Sequence, residues 1–467
     1  MATQAPPLPP AATGAETGSS TQAWPSPRSA WYAMAIFAVT LMFLQVDRGV
    51  ITLLVRPIKK DLNLTDVEMS YLLGASVVLM QAFIGVPLAR LVDSRRRNIL
   101  LGIAIAGWSA MTALCGLAQN FVQLFLCRCG VGVGDAINGP ATYSMIADYF
   151  PREKLPRAIS VLQLGFIAGG AFSLILGGAV IALLTKVPDL HVAGLVIRTW
   201  QMVFFVVGLP GLLVGALMAF TVKEPARRGL MIAPAAGQGA RKAIPFRTVI
   251  GFLLQNWKIY LPMFLGLAIG AVESAGTLQW RPTFFERTYG WSPQQIGLIT
   301  GSVALAVSPI GLVLGTWLTE FLAKRRDDAN LVTVVVAYVI ALPFQILGPL
   351  MPTPWLAIAF GAVGGITQMM SAAPQNAAIQ AITPNEMRGQ VTALYLFVFS
   401  VIGQGLGPTF IALITDLVLK DESQLKWAMS GSAMIMGPIA LVVVWLGVAP
   451  YGRAITRVKQ VEQGAAG

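Results

Sequence analysis

The sequence is poor in charge, and poorer still in the side chains that carry most enzymatic chemistry. Only 12% of its 467 residues are Asp, Glu, Lys or Arg, about half the share of a typical soluble domain. One histidine is present, His191, in a short polar link, which excludes a histidine-based proton relay. The three cysteines, Cys115, Cys127 and Cys129, all stand in apolar stretches. Cys127 and Cys129 are two apart and point to different faces of a helix, so they form no metal pair and read as small hydrophobes. The Gly-rich stretch 130–139 lies inside an apolar run with no strand before it, which excludes a phosphate loop. No nucleophile–base pair, metal cluster, nucleotide-binding segment or large soluble appendage is evident. An enzyme, an ATP-driven pump and a receptor built on added domains all lose ground, and neither cofactor nor metal is expected.

What the chain has is apolar length. Hydrophobic residues make up 55% of it, in continuous rather than alternating runs. Crossing a bilayer takes roughly 20 such residues, and a backbone in lipid must satisfy its own hydrogen bonds, so these runs are read as helices. Twelve spans are expected, near 30–54, 68–92, 98–118, 121–149, 158–184 and 199–222, then 256–284, 293–322, 330–350, 354–382, 389–418 and 428–450. Residues 1–28, rich in Ala, Pro, Ser, Thr and Gly, read as a disordered tail. The first apolar run is late and of full span length, so it is read as an uncleaved anchor. The expected organisation is a six-helix bundle over 29–222, a linker over 223–250 carrying a short surface helix, a second bundle over 251–452 and a tail over 453–467.

The formal net charge is +12, and its distribution rules against nucleic acid. Basic residues gather in alternate links: Arg95, Arg96 and Arg97 after span 2, Arg152, Lys154 and Arg157 after span 4, and Lys324, Arg325 and Arg326 after span 8. The links at Gln119–Asn120 and Met351–Pro354 carry no charge. By the positive-inside rule both termini are expected in the cytoplasm of a cell-membrane protein.

The halves echo each other. Span 2 ends on Asp93 followed by Arg95, Arg96 and Arg97, and span 8 on Glu320 followed by Lys324, Arg325 and Arg326. After span 4 come Pro151 and Arg157, and after span 10 Pro384 and Arg388. A six-span repeat is the mark of many carriers. The run Ala89-Arg-Leu-Val-Asp93-Ser-Arg95-Arg96-Arg97 resembles the cytoplasmic gate motif of the major facilitator superfamily, with Ala89 and Arg96 where that motif has Gly. A narrower resemblance, to the Spinster-like branch, rests on Val46-Asp47-Arg48, Gly130-Val-Gly-Val-Gly134-Asp135, Ala147-Asp-Tyr-Phe-Pro151, Pro282-Thr-Phe-Phe285, Tyr289-Gly-Trp-Ser292 and the run from Arg388 to Pro408. The resemblance implies an all-α membrane fold of twelve helices in two pseudo-symmetric six-helix bundles. It also implies alternating access, a gate built from Asp93, Arg95, Arg96, Arg97, Arg157, Glu320, Arg325 and Arg388, and a coupling role for the span-four Arg128. Animal members are associated with lysophospholipid and sphingolipid export. At position 135 that branch usually has Glu, and this chain has Asp.

Ionisable groups at span depth are costly and mark function. Here they are Asp47 and Arg48 in span 1, Arg128 and Asp135 in span 4, and Glu273 in span 7. Arg128 and Asp135 are seven residues apart, so they share a helix face about 10 Å apart along the axis. An acid whose proton affinity depends on whether a nearby Arg is engaged can tie proton movement to substrate movement; a static charge network holding spans 1 and 4 together is the alternative. Adjacent residues on a helix diverge by about 100°, so one of Asp47 and Arg48 faces the cavity and the other a neighbouring helix. Glu273 stands among small residues that leave room for water, a cationic group or a proton, or for a structural hydrogen bond. Gln45, Asn138, Tyr143, Gln163, Trp280, Tyr395 and Gln404 are candidates for lining a cavity suited to an amphipathic solute, an organic anion or a lysolipid. The expected activity is secondary transport by a monomer among membrane lipids, coupled to protons or, alternatively, driven by the substrate gradient alone.

Overall fold

The computed structural model describes residues 24–151, 154–192, 195–227, 245–384 and 387–466; the side chains at 86, 89, 90, 93, 94, 156, 192, 195 and 461–466 fall outside the description. Most of the expected tail, residues 1–23, and the middle of the expected linker, residues 228–244, also lie outside the described residues.

Among the described residues, eleven helices are long and apolar enough to cross a membrane. A further helix, Phe121–Tyr149, has the length but carries Arg128, Asp135 and Asp148, and it completes twelve. We number them spans 1 to 12. The first half holds Pro27–Leu53, a composite second span from Asp66 to Ser94, then Arg97–Cys115, Phe121–Tyr149, Leu155–Leu184 and Thr199–Thr221. The second half holds Trp257–Tyr289, Pro293–Ala323, Ala329–Leu347, Pro354–Ile382, a composite eleventh span from Arg388 to Leu419, and Leu425–Ala466.

The span starts follow local chemistry. Asn120 accepts from the Gln123 N–H at 3.0 Å at the head of span 4. Thr65 with Glu68 and Ser292 with Gln295 form reciprocal caps at the heads of spans 2 and 8. Each satisfies N–H groups that a helix end leaves open. Gly290 closes span 7 with φ +69°, a left-handed position that glycine adopts without strain. The link between spans 5 and 6 folds into an antiparallel pair, Leu190–Val192 with Leu195–Ile197, which places His191 opposite Val196.

Two stretches differ from expectation. Span 12 does not stop near 450 but runs 42 residues to Ala466, through the region read as a tail. Ile455 is buried in the second-half core, and Thr456 and Lys459 reach Asp327 at 3.1 and 2.5 Å. The apolar side of this extension and its tether to the link after span 8 keep it helical. The Lys459 ammonium, with the Thr456 hydroxyl, holds the Asp327 carboxyl below its usual range. A short helix, Phe246–Gln255, packs Val249 and Leu253 into the same core ahead of span 7.

Packing repeats with a shift of six. Span 1 packs on 5, 2 on 4, 3 on 4 and 3 on 6; span 7 packs on 11, 8 on 10, 9 on 10 and 9 on 12. Between halves the contacts exchange in the same symmetric way, span 5 on 8 and span 2 on 11. Small residues permit close approach: Gly134 lies against Trp108 and the Ala104 carbonyl of span 3, and Gly407 against the Val272 carbonyl of span 7. Span 2 and span 11, which meet across the halves, both carry π-helical turns, at Tyr71–Ala75, Phe399–Gly405 and Ile414–Leu419. Such turns are common at functional sites.

The halves share a core on one face only. On the face opposite the termini, Leu54, Ile58 and Leu72 of the first half form one cluster with Trp280, Phe284, Ile411 and Met429 of the second. On the terminal face each half has a separate core, around Trp108 and Met145 in the first and Met263 and Tyr451 in the second. The molecule is therefore closed on the face opposite the termini and parted on the terminal face.

Candidate functional site: buried charges and two gates

In the first half the span-depth charges form a single cluster, joined across helices rather than along span 4. Asp135 is ion-paired with Arg48 of span 1, not with Arg128. The same guanidinium group donates to Gln81 of span 2 at 3.2 Å. Two helical turns along one helix put Arg128 and Asp135 too far apart for contact, whereas Arg48 reaches the acid from the next helix. Arg128, 1% exposed, donates instead to the backbone carbonyl of Asp47 at 3.4 Å. Asp47 turns toward span 3 and accepts from Thr112 at 3.1 Å. The divergence of Asp47 and Arg48 is thus realised: Asp47 is 2% exposed, while a quarter of the Arg48 side chain stays accessible. Among the described residues, Asp47 Oδ1 and the Nε atoms of Arg48 and Arg128 have no hydrogen-bond partner.

In the second half Glu273, 3% exposed, accepts from Thr277 at 3.1 Å, one turn along span 7. It borders two adjoining cavities that share Ser274, Gln345 and Gln368 as walls. The larger spans about 1040 Å³ of non-protein space, part of it open to solvent, with Gln375, Asn376 and Tyr395 on its walls. The other carries Arg281, a span-depth cation that sequence reading passed over because it sits next to Pro282, near the expected end of span 7.

The cavity candidates fall into two sets. Tyr395 lines the second-half cavity and donates to Gln375 at 3.2 Å. Tyr143 is exposed and donates to the likewise exposed Gln163 at 3.5 Å. Asn138 is buried and accepts from Thr142 at 3.1 Å, Gln45 packs against Gly169, and the Gln404 backbone carbonyl against Gly74. Trp280 does not face a cavity: it is fully buried and its indole N–H donates to the Pro408 carbonyl at 2.9 Å, tying span 7 to span 11.

The gate residues on the terminal face are apart. Arg97 is buried within the first half, where it donates to Asp148 at 2.6 Å, Glu224 at 2.7 Å and Ser144 at 2.7 Å. Arg95, Arg96, Glu320 and Arg325 are exposed; Arg325 lies over the Phe321 ring and Arg157 over Trp31. Arg388 donates to the Thr383 carbonyl at 3.4 Å. Asp93 stands in the last turn of span 2, its side chain outside the described residues. Among the described residues no ion pair joins the halves on this face.

The opposite face holds a clasp that sequence reading did not single out. Asp66, fully buried at the head of span 2, accepts from Arg287 of span 7 at 2.7 and 2.8 Å and is paired with Lys59. Lys59 and Arg287 both extend to Glu422, before span 12, at 2.8 and 3.2 Å. Arg56 and Glu286 add a pair at 3.3 Å, and the Val67 N–H donates to Asp416 at 2.9 Å. The only hint in the sequence was the balanced charge of the link from Arg56 to Glu68.

Two bundles related by a six-span shift, closed at one end, narrow the fold to a few carrier families. The sequence pattern of the Major Facilitator Superfamily matches residues 34–408. The chain belongs to that superfamily. This major facilitator is 27% identical over 436 residues to an MFS-type efflux pump of Mycolicibacterium smegmatis, covering 92% of this chain and 95% of that protein. It is 24% identical over 400 residues to protein spinster homolog 1 of Xenopus tropicalis, covering 81% and 71% of the two chains. A hexuronate transporter of Escherichia coli is 24% identical over 356 residues, 72% of this chain and 76% of that one. Its fold is similar to that of a bacterial homolog of the human lysosomal transporter Spinster in an inward-facing, unoccupied conformation. There the TM-score is 0.75 at 24% identity, over 92% of this chain and 98% of the other. The major facilitator is a membrane transporter, not an enzyme, and is similar to Spinster proteins in sequence and fold.

Proposed function

We propose that this major facilitator is a proton-coupled secondary transporter that moves an amphipathic organic anion by alternating access. The single observation that carries the reading is the Arg48–Asp135 pair, joined at span depth with part of Arg48 still accessible. While Asp135 is charged it holds the Arg48 guanidinium. When Asp135 takes up a proton the attraction is lost, and Arg48 is released toward an anion in the cavity. Asp47 and Arg128 hold span 1 to spans 3 and 4 while this exchange takes place. The relatives whose printed names specify cargo, the hexuronate and galactonate transporters, move organic acids, which supports an anionic solute. The terminal face is cytoplasmic, since the basic links lie on it, and the conformation is inward-facing. Opening to the outside breaks the Asp66 clasp and brings Asp93, the Arg95–Arg97 run, Arg157, Glu320, Arg325 and Arg388 together. The transporter works as a monomer in the cell membrane.

The test uses proteoliposomes with decanoate and glucuronate as labelled probes under an imposed pH gradient. Asp135→Asn is expected to remove pH-driven accumulation while exchange of internal for external probe continues. Driven uptake equal to that of the native protein would remove the coupling role and leave a carrier driven by the substrate gradient.

A further inference from the structure

The cavity on the second-half side of Glu273 has one cationic wall residue, Arg281, which no acceptor of the described residues touches. Arg281 lines the cavity, and among the described residues it makes no hydrogen bond or ion pair with the chain. Its situation differs from that of the other arginines set within the bundles. Arg48 is held by Asp135, Arg97 by Asp148 and Glu224, Arg128 by the Asp47 carbonyl, and Arg287 by Asp66. Glu273 acts on it through space, with no hydrogen bond or ion pair between the two. The two are eight residues apart on one face, a rise of about 12 Å, and Thr277 stands between them with its hydroxyl on the Glu273 carboxylate. An unpaired guanidinium at span depth is expensive, and five N–H donors with no acceptor suit a carboxylate or phosphate better than any other group. Around it the wall is apolar and aromatic: Phe344 of span 9 and Phe360 of span 10 stand 5.2 Å apart, centroid to centroid, on the same cavity.

We propose that Arg281 is the anion-binding and specificity-determining residue of the second half: it takes the single negative head, carboxylate or phosphate, of an amphipathic solute whose apolar body lies along Phe344 and Phe360. This deepens the reading of an anionic cargo and rests on it. It gives the second half an anion site of its own, distinct from Arg48. Glu273 beside this site disfavours a second negative charge, which selects monoanionic heads on an apolar body over polyacids.

The test measures binding to the purified full-length transporter in a non-ionic detergent, with three probes: decanoate, lysophosphatidate and the neutral decanol. Arg281→Gln is expected to weaken decanoate and lysophosphatidate by about tenfold or more, the loss of a charge-assisted hydrogen bond, and to leave decanol unchanged. Arg281→Lys is expected to restore part of the affinity. Equal affinity of both anions for native protein and Arg281→Gln overturns the assignment, and so does an equal loss of decanol, which marks a structural role. If neither anion binds native protein, the anionic-cargo reading fails with it; if both bind native protein and Arg281→Gln alike, only the assignment of Arg281 fails. Should Arg281→Gln not fold, Phe344→Trp supplies the reading. Decanoate is expected to shift its fluorescence saturably with decanol much weaker, and no response to decanoate, or an equal response to both, overturns the proposal.

Discussion

Charges inside this transporter act one partner at a time, and their costs differ with what would be left behind. Arg97 is almost wholly buried and satisfies Asp148, Glu224 and Ser144. Arg97→Ala removes the buried counter-charge that Asp148 and Glu224 share, and breaking a buried pair from one side costs about 3–5 kcal/mol. The expected outcome is a lower unfolding midpoint in detergent, partly recovered by Arg97→Lys, which keeps the charge but loses the forked geometry. Trp280→Phe removes the indole hydrogen bond to Pro408, about 1 kcal/mol, together with part of a buried ring on which Arg287 rests. It is expected to lower the unfolding midpoint slightly without changing the KM for transport; a raised KM would return Trp280 to the cavity.

At the scale of elements, glycine sets how near two helices from different halves come. A Cβ at Gly297 in span 8 would lie 2.1 Å from the Leu174 carbonyl of span 5, and one at Gly301 2.7 Å from the Ala171 carbonyl. Backbone cannot yield to such contacts while the spans stay in place. Gly297→Leu is therefore expected to part spans 5 and 8 and to favour the outward-facing form. Spin labels at the exposed Lys186 and Lys420, one in each half on the closed face, are expected to move apart in double electron–electron resonance. An unchanged distance would mean that the 5–8 contact does not hold this face shut. The π-helical turns of spans 2 and 11 lie at the corresponding contact between the other two spans. The sequence showed both stretches as ordinary apolar runs, because a widened turn leaves no mark in hydrophobic periodicity.

For the whole molecule, the decisive quantity is the balance between two arrangements of rigid halves. The clasp of Lys59, Asp66, Arg287 and Glu422 joins the halves in the arrangement described here, and the proposed cycle breaks it on opening to the other side. Asp66→Asn leaves Lys59 and Arg287 without the buried charge that both address. A penalty of about 3 kcal/mol borne by one arrangement alone moves the equilibrium by about two orders of magnitude. The same spin-label pair is expected to report a larger outward-facing share, and transport is expected to slow at the step that returns the carrier inward. A distribution identical to that of the native protein would show that the apolar cluster around Ile58, Trp280 and Met429, not the clasp, closes this face.

Span count, most span limits and the six-span repeat were legible in the sequence, while the extension of span 12 to Ala466 was not. Apolar length in lipid dictates helices wherever it occurs, and the basic links punctuate them at matching places in each half. The depth of Asp47, Arg48, Arg128, Asp135 and Glu273 was legible for the same reason, since a charge inside an apolar run announces itself. Partner choice was not. Spacing along one helix placed Arg128 over Asp135, and only the crossing of span 1 beside span 4 gave that acid to Arg48. The clasp around Asp66 joins residues more than 200 positions apart, and Arg281 became a candidate only when a cavity was found to open onto it without an acceptor. By itself the sequence determined what must lie in the membrane, because that depends on the chain's local composition. Which charges meet, and which face is closed, only the tertiary structure decided, because both depend on how distant helices come to lie side by side.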